Sequence, residues 1–140
     1  MDAFVAELDN KETFNRLHRV PSLAANHPKY KDNGRYWQGG VWPGANYMVI
    51  TGLLQQGYRK LAYEIARNHY DNVLKVYKNT GTFWEYYAPE HEEPGFMARP
   101  NFVGWGGLAP ISGLIEQIFG IRSNVYEKKL TVDVNLTEAY

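Results

Sequence analysis

The sequence predicts an all-α fold of antiparallel helices followed by a short C-terminal β-strand. Apolar residues recur at three- and four-residue steps in three separate segments, each ending at a glycine. The tail then switches to a two-residue alternation. A length of 140 residues allows one domain core but not two of ordinary size.

The first forty residues read as irregular, with a short amphipathic stretch around Phe14 to Leu17 and then prolines, asparagines and glycines at turn spacing. Long ordered loops usually carry function. Pro43 suits the first turn of a helix, where its missing N–H costs nothing. Tyr47, Ile50, Leu53 and Leu54 continue the pattern, which predicts a helix from Pro43 to Gln56 with Gly57 as its stop. A second helix follows, with Leu61, Ile65, Ala66, His69, Val73, Val76 and Tyr77 on one stripe and Gly81 beyond its end. It should lie antiparallel to the first. "GGLAPISGLIEQIFG" predicts a third, nearly apolar helix with Leu108, Ile111, Leu114, Ile115 and Ile118 facing inward. In the tail Leu130, Val132, Val134 and Leu136 alternate with polar residues, as in a strand with one buried face. That strand needs a partner, in this chain or another.

Composition excludes several classes of function. Lysine plus arginine equal aspartate plus glutamate at 15 each, so no broad field recommends a nucleic acid or an anionic membrane as partner. Cysteine is absent, which removes disulfides, thiolate nucleophiles and cysteine zinc sites. The histidines at 18, 27, 69 and 91 lack the spacing of helical metal ligands, and no cofactor or metal is expected. His69 reads as a core residue of the second helix. "GWGG" lacks the lysine and hydroxyl pair of a phosphate loop. "NLT" at Asn135 matches a glycosylation acceptor. The N-terminus carries acids where a secretory signal would carry basic residues, which tilts the expectation toward the cytoplasm.

Aromatic residues make up 15% of the chain, with 11 tyrosines and four tryptophans, and they concentrate in loops. "GRYWQGGVWPGANY", "GTFWEYYAPE" and "RPNFVGWGGLAP" each combine tryptophan with glycine and should meet at one end of the helical layer. Glycine lets backbone approach a ligand, and a tryptophan face stacks on the apolar face of a sugar ring. The competing reading is aromatic core packing. Glu85 sits among four of these rings. It is either a carboxylate desolvated for acid–base work or an acid capped by tyrosine hydroxyls. Glu90, Glu92 and Glu93 read as solvated loop charges.

These loops also carry a resemblance. "RYWQGGVWPGANYMVITGL", "GTFWEYYAPE" and "PNFVGWGGLAPISGLIEQIFGI" resemble, in order and spacing, the C-terminal part of the catalytic domain of trehalase-like glycoside hydrolases, closest to the family 63 glucosidase group. "LHRVPSLAANHPKY" looks like the run before the first motif, so the likeness covers most of residues 10 to 135. It implies part of an (α/α)6 toroid, six helical hairpins around a cleft, over residues 1 to 122, and the start of a β-segment over residues 123 to 140. It implies a carbohydrate substrate hydrolysed with inversion by two carboxyl groups, which such a mechanism sets roughly 6.5–9.5 Å apart. By motif matching Glu85 would be the general base. Tyr36, Trp37, Gln38, Trp42, Asn46 and Trp105 would line the sugar site. No residue here matches the family's general acid, which lies upstream of the first motif, and Asp32 is not matched to that role.

The expectation is therefore a fragment of an inverting glycosidase acting on α-linked glucosides or related sugars, inactive alone. Its exposed inner face would demand the missing N-terminal part of the toroid or self-association. Two other classes remain: a carbohydrate-binding module without chemistry, and a helical module that binds a protein through its apolar faces.

Overall fold

In the computed structural model residues 2–134 are described, and they form a helix-rich layer joined to a two-stranded β-ribbon. Helix α1 spans Asp2–Asp9, α2 Pro43–Gln55 and α3 Arg59–Thr80. A tight turn at Trp105–Gly107 runs into a wide-turn helix, α4, over Leu108–Ile118. Hydrogen bonds in α4 reach five residues back, as from the Phe119 N–H to the Leu114 carbonyl at 2.9 Å.

Helix α2 starts as expected, because Trp42 is extended (φ −98°, ψ 121°) and Pro43 opens the first turn. The short Gln56–Gly57–Tyr58 connection folds α3 back on α2, and Gly57 supplies the required positive φ of 84°. At its other end α3 stops on Gly81, whose φ of 74° lets its N–H reach the Tyr77 carbonyl at 2.7 Å. Helix α3 packs against both α2 and α4. Its buried stripe of Ala62, Ile65, Ala66, His69, Val73 and Val76 follows the predicted period.

Two apolar clusters meet along that stripe. One gathers Leu8, Val20, Ile50, Leu53, Ile65 and Ile118; the other gathers Val41, Val73, Val76, Tyr87 and Ala109. The second contains Val41 and Tyr87 from the first two aromatic loops, so burying this part of α3 also fixes those loops.

Three sequence expectations need correction. Asp2–Asp9 is helical, although the first forty residues read as irregular; only Leu8 in it is buried, so it offers no apolar stripe to detect. In α4 Ile111 and Ile115, expected to face inward, are exposed, and Ala109, Gly113, Gln117 and Ile118 are buried instead, because hydrogen bonds reaching five residues back widen the turns and move the inward face off the ordinary helical period. The strand β2, Lys129–Val132, pairs antiparallel with β1, Ile121–Asn124, but neither face is buried, and Leu130 is 67% exposed. The alternation in the tail therefore marks a surface that no described residue covers. Asn135, in the glycosylation pattern, and Leu136, of the predicted strand, lie outside the described residues.

Candidate functional site

The aromatic loops are stitched to each other by backbone pairing. Val41 and Tyr87 exchange two hydrogen bonds, at 2.9 and 3.0 Å. The Glu85 N–H donates to the Arg99 carbonyl at 3.0 Å, and the Phe96 N–H to the Asn33 carbonyl at 2.9 Å. Between Arg35 and Gly40 the chain turns so tightly that a Cβ at Gly40 would collide with the Tyr36 carbonyl. Tyr36 itself has a φ of 50°, an uncommon conformation for a non-glycine residue. Only glycine fits at position 40 of that turn, and the turn aims the Tyr36 and Trp37 rings outward together.

The rings form a stacked wall. Trp42 lies between Trp37, at 4.5 Å and 14°, and Tyr86, at 4.4 Å and 26°. Tyr36 meets Trp42 edge-on at 5.2 Å. Trp105 stands across from them, 6.2 Å from Trp42, and its indole N–H donates to the Glu85 carbonyl at 2.8 Å. Tyr36, Trp37, Trp42 and Trp105, together with Met48 and Glu85, line a cleft of about 280 Å³. Trp42 is buried at 5% exposure, whereas Tyr36 and Trp37 remain more than half exposed. The wall is therefore anchored in the core at one edge and open to a ligand at the other.

Five of the sequence candidates, Tyr36, Trp37, Trp42, Glu85 and Trp105, come together in this cleft. Asn46 and Gln38 are not among its lining residues. Asn46 is buried and holds the preceding loop instead: its Oδ1 accepts from the Val20 N–H at 2.8 Å, and its Nδ2 donates to the Val20 carbonyl at 3.1 Å. Gln38 serves the turn, where its carbonyl accepts from the Lys31 N–H at 2.7 Å. Gly44, Ala45 and Met48 also line the cleft; Ala45 stands three residues beyond Trp42 and Met48 three beyond Ala45, a helical spacing on α2 that could have found those two.

The Glu85 side chain is half-buried, and no tyrosine hydroxyl among the described residues donates to it. The Tyr86 hydroxyl donates to the Phe96 carbonyl at 2.8 Å. Burial and then the nearby Glu85 charge hold the Tyr86 phenol above its usual pKa. Tyrosine capping occurs at Glu90, which accepts from the Tyr30 hydroxyl at 2.7 Å and from Arg16 Nε at 2.5 Å. The reading of Glu90 as a solvated charge is thus overturned, because the long loop folds Tyr30 and Arg16 onto it. Burial, then the bond to Glu90, raises the Tyr30 pKa.

A larger hollow of about 510 Å³ lies between α1 and the start of α3, bordered by Asp2, Asp9, Arg59, Lys60 and Glu64. It lacks stacked rings, and Tyr58 there is committed to Asp2 at 2.6 Å. Among the described residues no group of three or more histidines and acids could hold a metal ion.

Residues 1–105 match the profile of the mannosylglycerate hydrolase MGH1-like glycoside hydrolase domain. The chain belongs to this family. It is 41% identical over 70 residues to mannosylglycerate hydrolase MGH1 of Selaginella moellendorffii, covering 50% of this chain and 13% of that protein. A probable mannosyl-oligosaccharide glucosidase of Schizosaccharomyces pombe is 29% identical over 99 residues, covering 64% and 12%. Among solved structures, the family 63 mannosylglycerate hydrolase of Thermus thermophilus in complex with Tris superposes with a TM-score of 0.58 at 29% identity, over 77% of this chain and 24% of that one. The chain thus spans about a quarter or less of each of these relatives.

Proposed function

We propose that this chain supplies the general-base side of a glycoside hydrolase cleft that acts on an α-linked mannoside or glucoside. The carrying observation is Glu85, a half-buried carboxylate with no tyrosine donor among the described residues, at the edge of a stacked aromatic wall. In this reading the sugar lies against Trp37 and Trp105, with Tyr36 at the cleft mouth and Trp42 backing the stack. Glu85 takes a proton from the water that attacks the anomeric carbon, and inversion follows. Among the described residues no other acid lines the aromatic cleft. The proton donor to the leaving oxygen is assigned to a residue outside these 140 because the family resemblance puts it upstream of the first motif. The α2–α3 hairpin and α4 would form part of an (α/α)6 toroid over residues 1 to 122, with the ribbon opening a β-segment from 123 onward. The named activities of the relatives bring two substrate types to this chain, mannosylglycerate and glucosylated oligosaccharide.

The test is tryptophan fluorescence and indole NMR during titration with methyl α-D-mannoside and methyl α-D-glucoside, alongside turnover followed by product anomer. We expect sugar-dependent changes at the indoles, abolished in Trp37→Ala and Trp105→Ala but kept in Glu85→Gln, with no turnover by the chain alone. Indoles that ignore both sugars would sink the reading. Release of the inverted anomer by the chain alone would overturn the placement of the acid elsewhere.

A further inference from the structure

The Glu85 backbone is held from two sides by unlike means. Its N–H donates to the Arg99 carbonyl at 3.0 Å, as one rung of the pairing between two loops. Its carbonyl accepts the Trp105 indole N–H at 2.8 Å, from a side chain further along. Val41 and Tyr87, by contrast, bond each other at both backbone groups. The two peptide planes that flank the Glu85 Cα are thus fixed separately, one by backbone and one by Trp105. With both planes fixed, φ and ψ are fixed, and with them the direction in which the carboxylate leaves the chain. The second plane leads to Tyr86, whose ring stacks on Trp42 at 4.4 Å.

The chain around Trp105 is shaped to make that bond. The tight turn Trp105–Gly107 lies against the Trp84–Glu85 segment, and a Cβ at buried Gly106 would stand only 3.2 Å from the Trp84 carbonyl oxygen. A larger residue there would lift the turn away. Phe102, at 4.7 Å, and Trp42, at 6.2 Å, steady the Trp105 ring. The ring stays 41% exposed, so a face is open while its N–H edge is engaged. An indole has one donor and no acceptor, so this bond uses its whole polar capacity.

We infer that Trp105 is a positioning residue for Glu85: the ring that receives the sugar also sets where the carboxylate stands. The inference rests on the sugar-cleft reading and deepens it. A sugar stacked on the Trp105 face restrains the ring, and a restrained ring keeps its N–H on the Glu85 carbonyl. Filling the cleft and placing the base then become one event. Placement matters because a displacement of about 1 Å can cost a reaction roughly 100-fold.

The experiment follows backbone and indole signals by NMR in the chain, in Trp105→Phe, which keeps an aromatic face without the donor, and in Gly106→Ala, which keeps the indole but crowds the turn. Without ligand, Trp105→Phe should move the Glu85 carbonyl-carbon signal and speed hydrogen exchange at the Glu85 N–H roughly tenfold, with Val41 and Tyr87 unaffected. Gly106→Ala should act in the same direction, more weakly. Methyl α-D-mannoside or methyl α-D-glucoside should move the Trp105 indole N–H and the Glu85 carbonyl carbon with one midpoint. At sugar concentrations that saturate the Trp37 indole, the Glu85 signal of Trp105→Phe should lose that response. A Glu85 carbonyl unmoved in Trp105→Phe would overturn the inference, as would exchange that rises equally at Val41 and Tyr87, the mark of a merely structural loss. So would a Glu85 carbonyl that ignores a sugar to which the Trp37 indole responds, with the sugar cleft left standing. Indoles that ignore both sugars, beside the expected change without ligand, would instead sink the sugar reading and, with it, the positioning role.

Discussion

Acidification should destabilise this protein through a buried histidine pair. His18 Nε2 lies 2.8 Å from His69 Nδ1, the rings are 5.0 Å apart, and both residues are almost fully buried. One ring can donate to the other only while the acceptor nitrogen is unprotonated, so the pair is built for neutral imidazoles. Burial pushes the His69 pKa down to about 3. Burial and then His69 push His18 well below its usual value, against a smaller opposing pull from the Ala88 backbone. Between a pH of about 6.5, where an unfolded histidine titrates, and about 3, the unfolded chain binds protons that folded His69 refuses. Stability therefore falls with pH throughout that window. From pH 7.5 to 5 the loss from His69 alone is about 2 kcal/mol, and across the whole window it is about 5 kcal/mol, comparable to the stability of a small domain. His18 adds to it in the same direction. Urea melts followed by far-ultraviolet circular dichroism at the two pH values should show the midpoint drop by about 1 M or more. His69→Gln removes one titrating ring and should shrink the difference by about 2 kcal/mol. An unchanged midpoint at pH 5, or an undiminished difference in His69→Gln, would refute the argument.

The remaining predictions concern the loops. Asn46→Ala removes both side-chain bonds to Val20 in a buried setting. It should cost about 2–4 kcal/mol by urea melt, from two orphaned backbone groups. Gly40→Ala brings a Cβ against the Tyr36 carbonyl and the Tyr86 ring. It should splay the Trp37–Trp42–Tyr86 stack, read as a red shift in tryptophan emission and loss of near-ultraviolet dichroism while the helical signal persists.

Helices α2 and α3 were legible because the physics that forms them is local and periodic: Pro43 opens one, Gly57 and Gly81 stop them, and Ile50, Leu53, Ile65 and Val73 repeat at helical spacing. Helix α1 was not, since it buries a single residue, Leu8, against α2 and α3. The ribbon was half legible. Alternation announced a strand, but its partner Ile121–Asn124 and the exposure of both faces depend on what lies beside them. Glu90 was read as a solvated charge because its partners Arg16 and Tyr30 are distant in sequence.

The sequence by itself determined helices α2 and α3, the neutral charge balance and the aromatic composition of three loops. Only the tertiary structure decided how those loops are used. Asn46 turned inward as a clamp because α2 carries it against Val20, and Trp42 became the buried centre of a stack because Val41 pairs with Tyr87 beside it. Trp105, 20 residues beyond Glu85, reached its carbonyl because Gly106 lets the turn lie against Trp84. Spacing along a chain carries no information about such meetings, since they arise from long-range burial and backbone pairing.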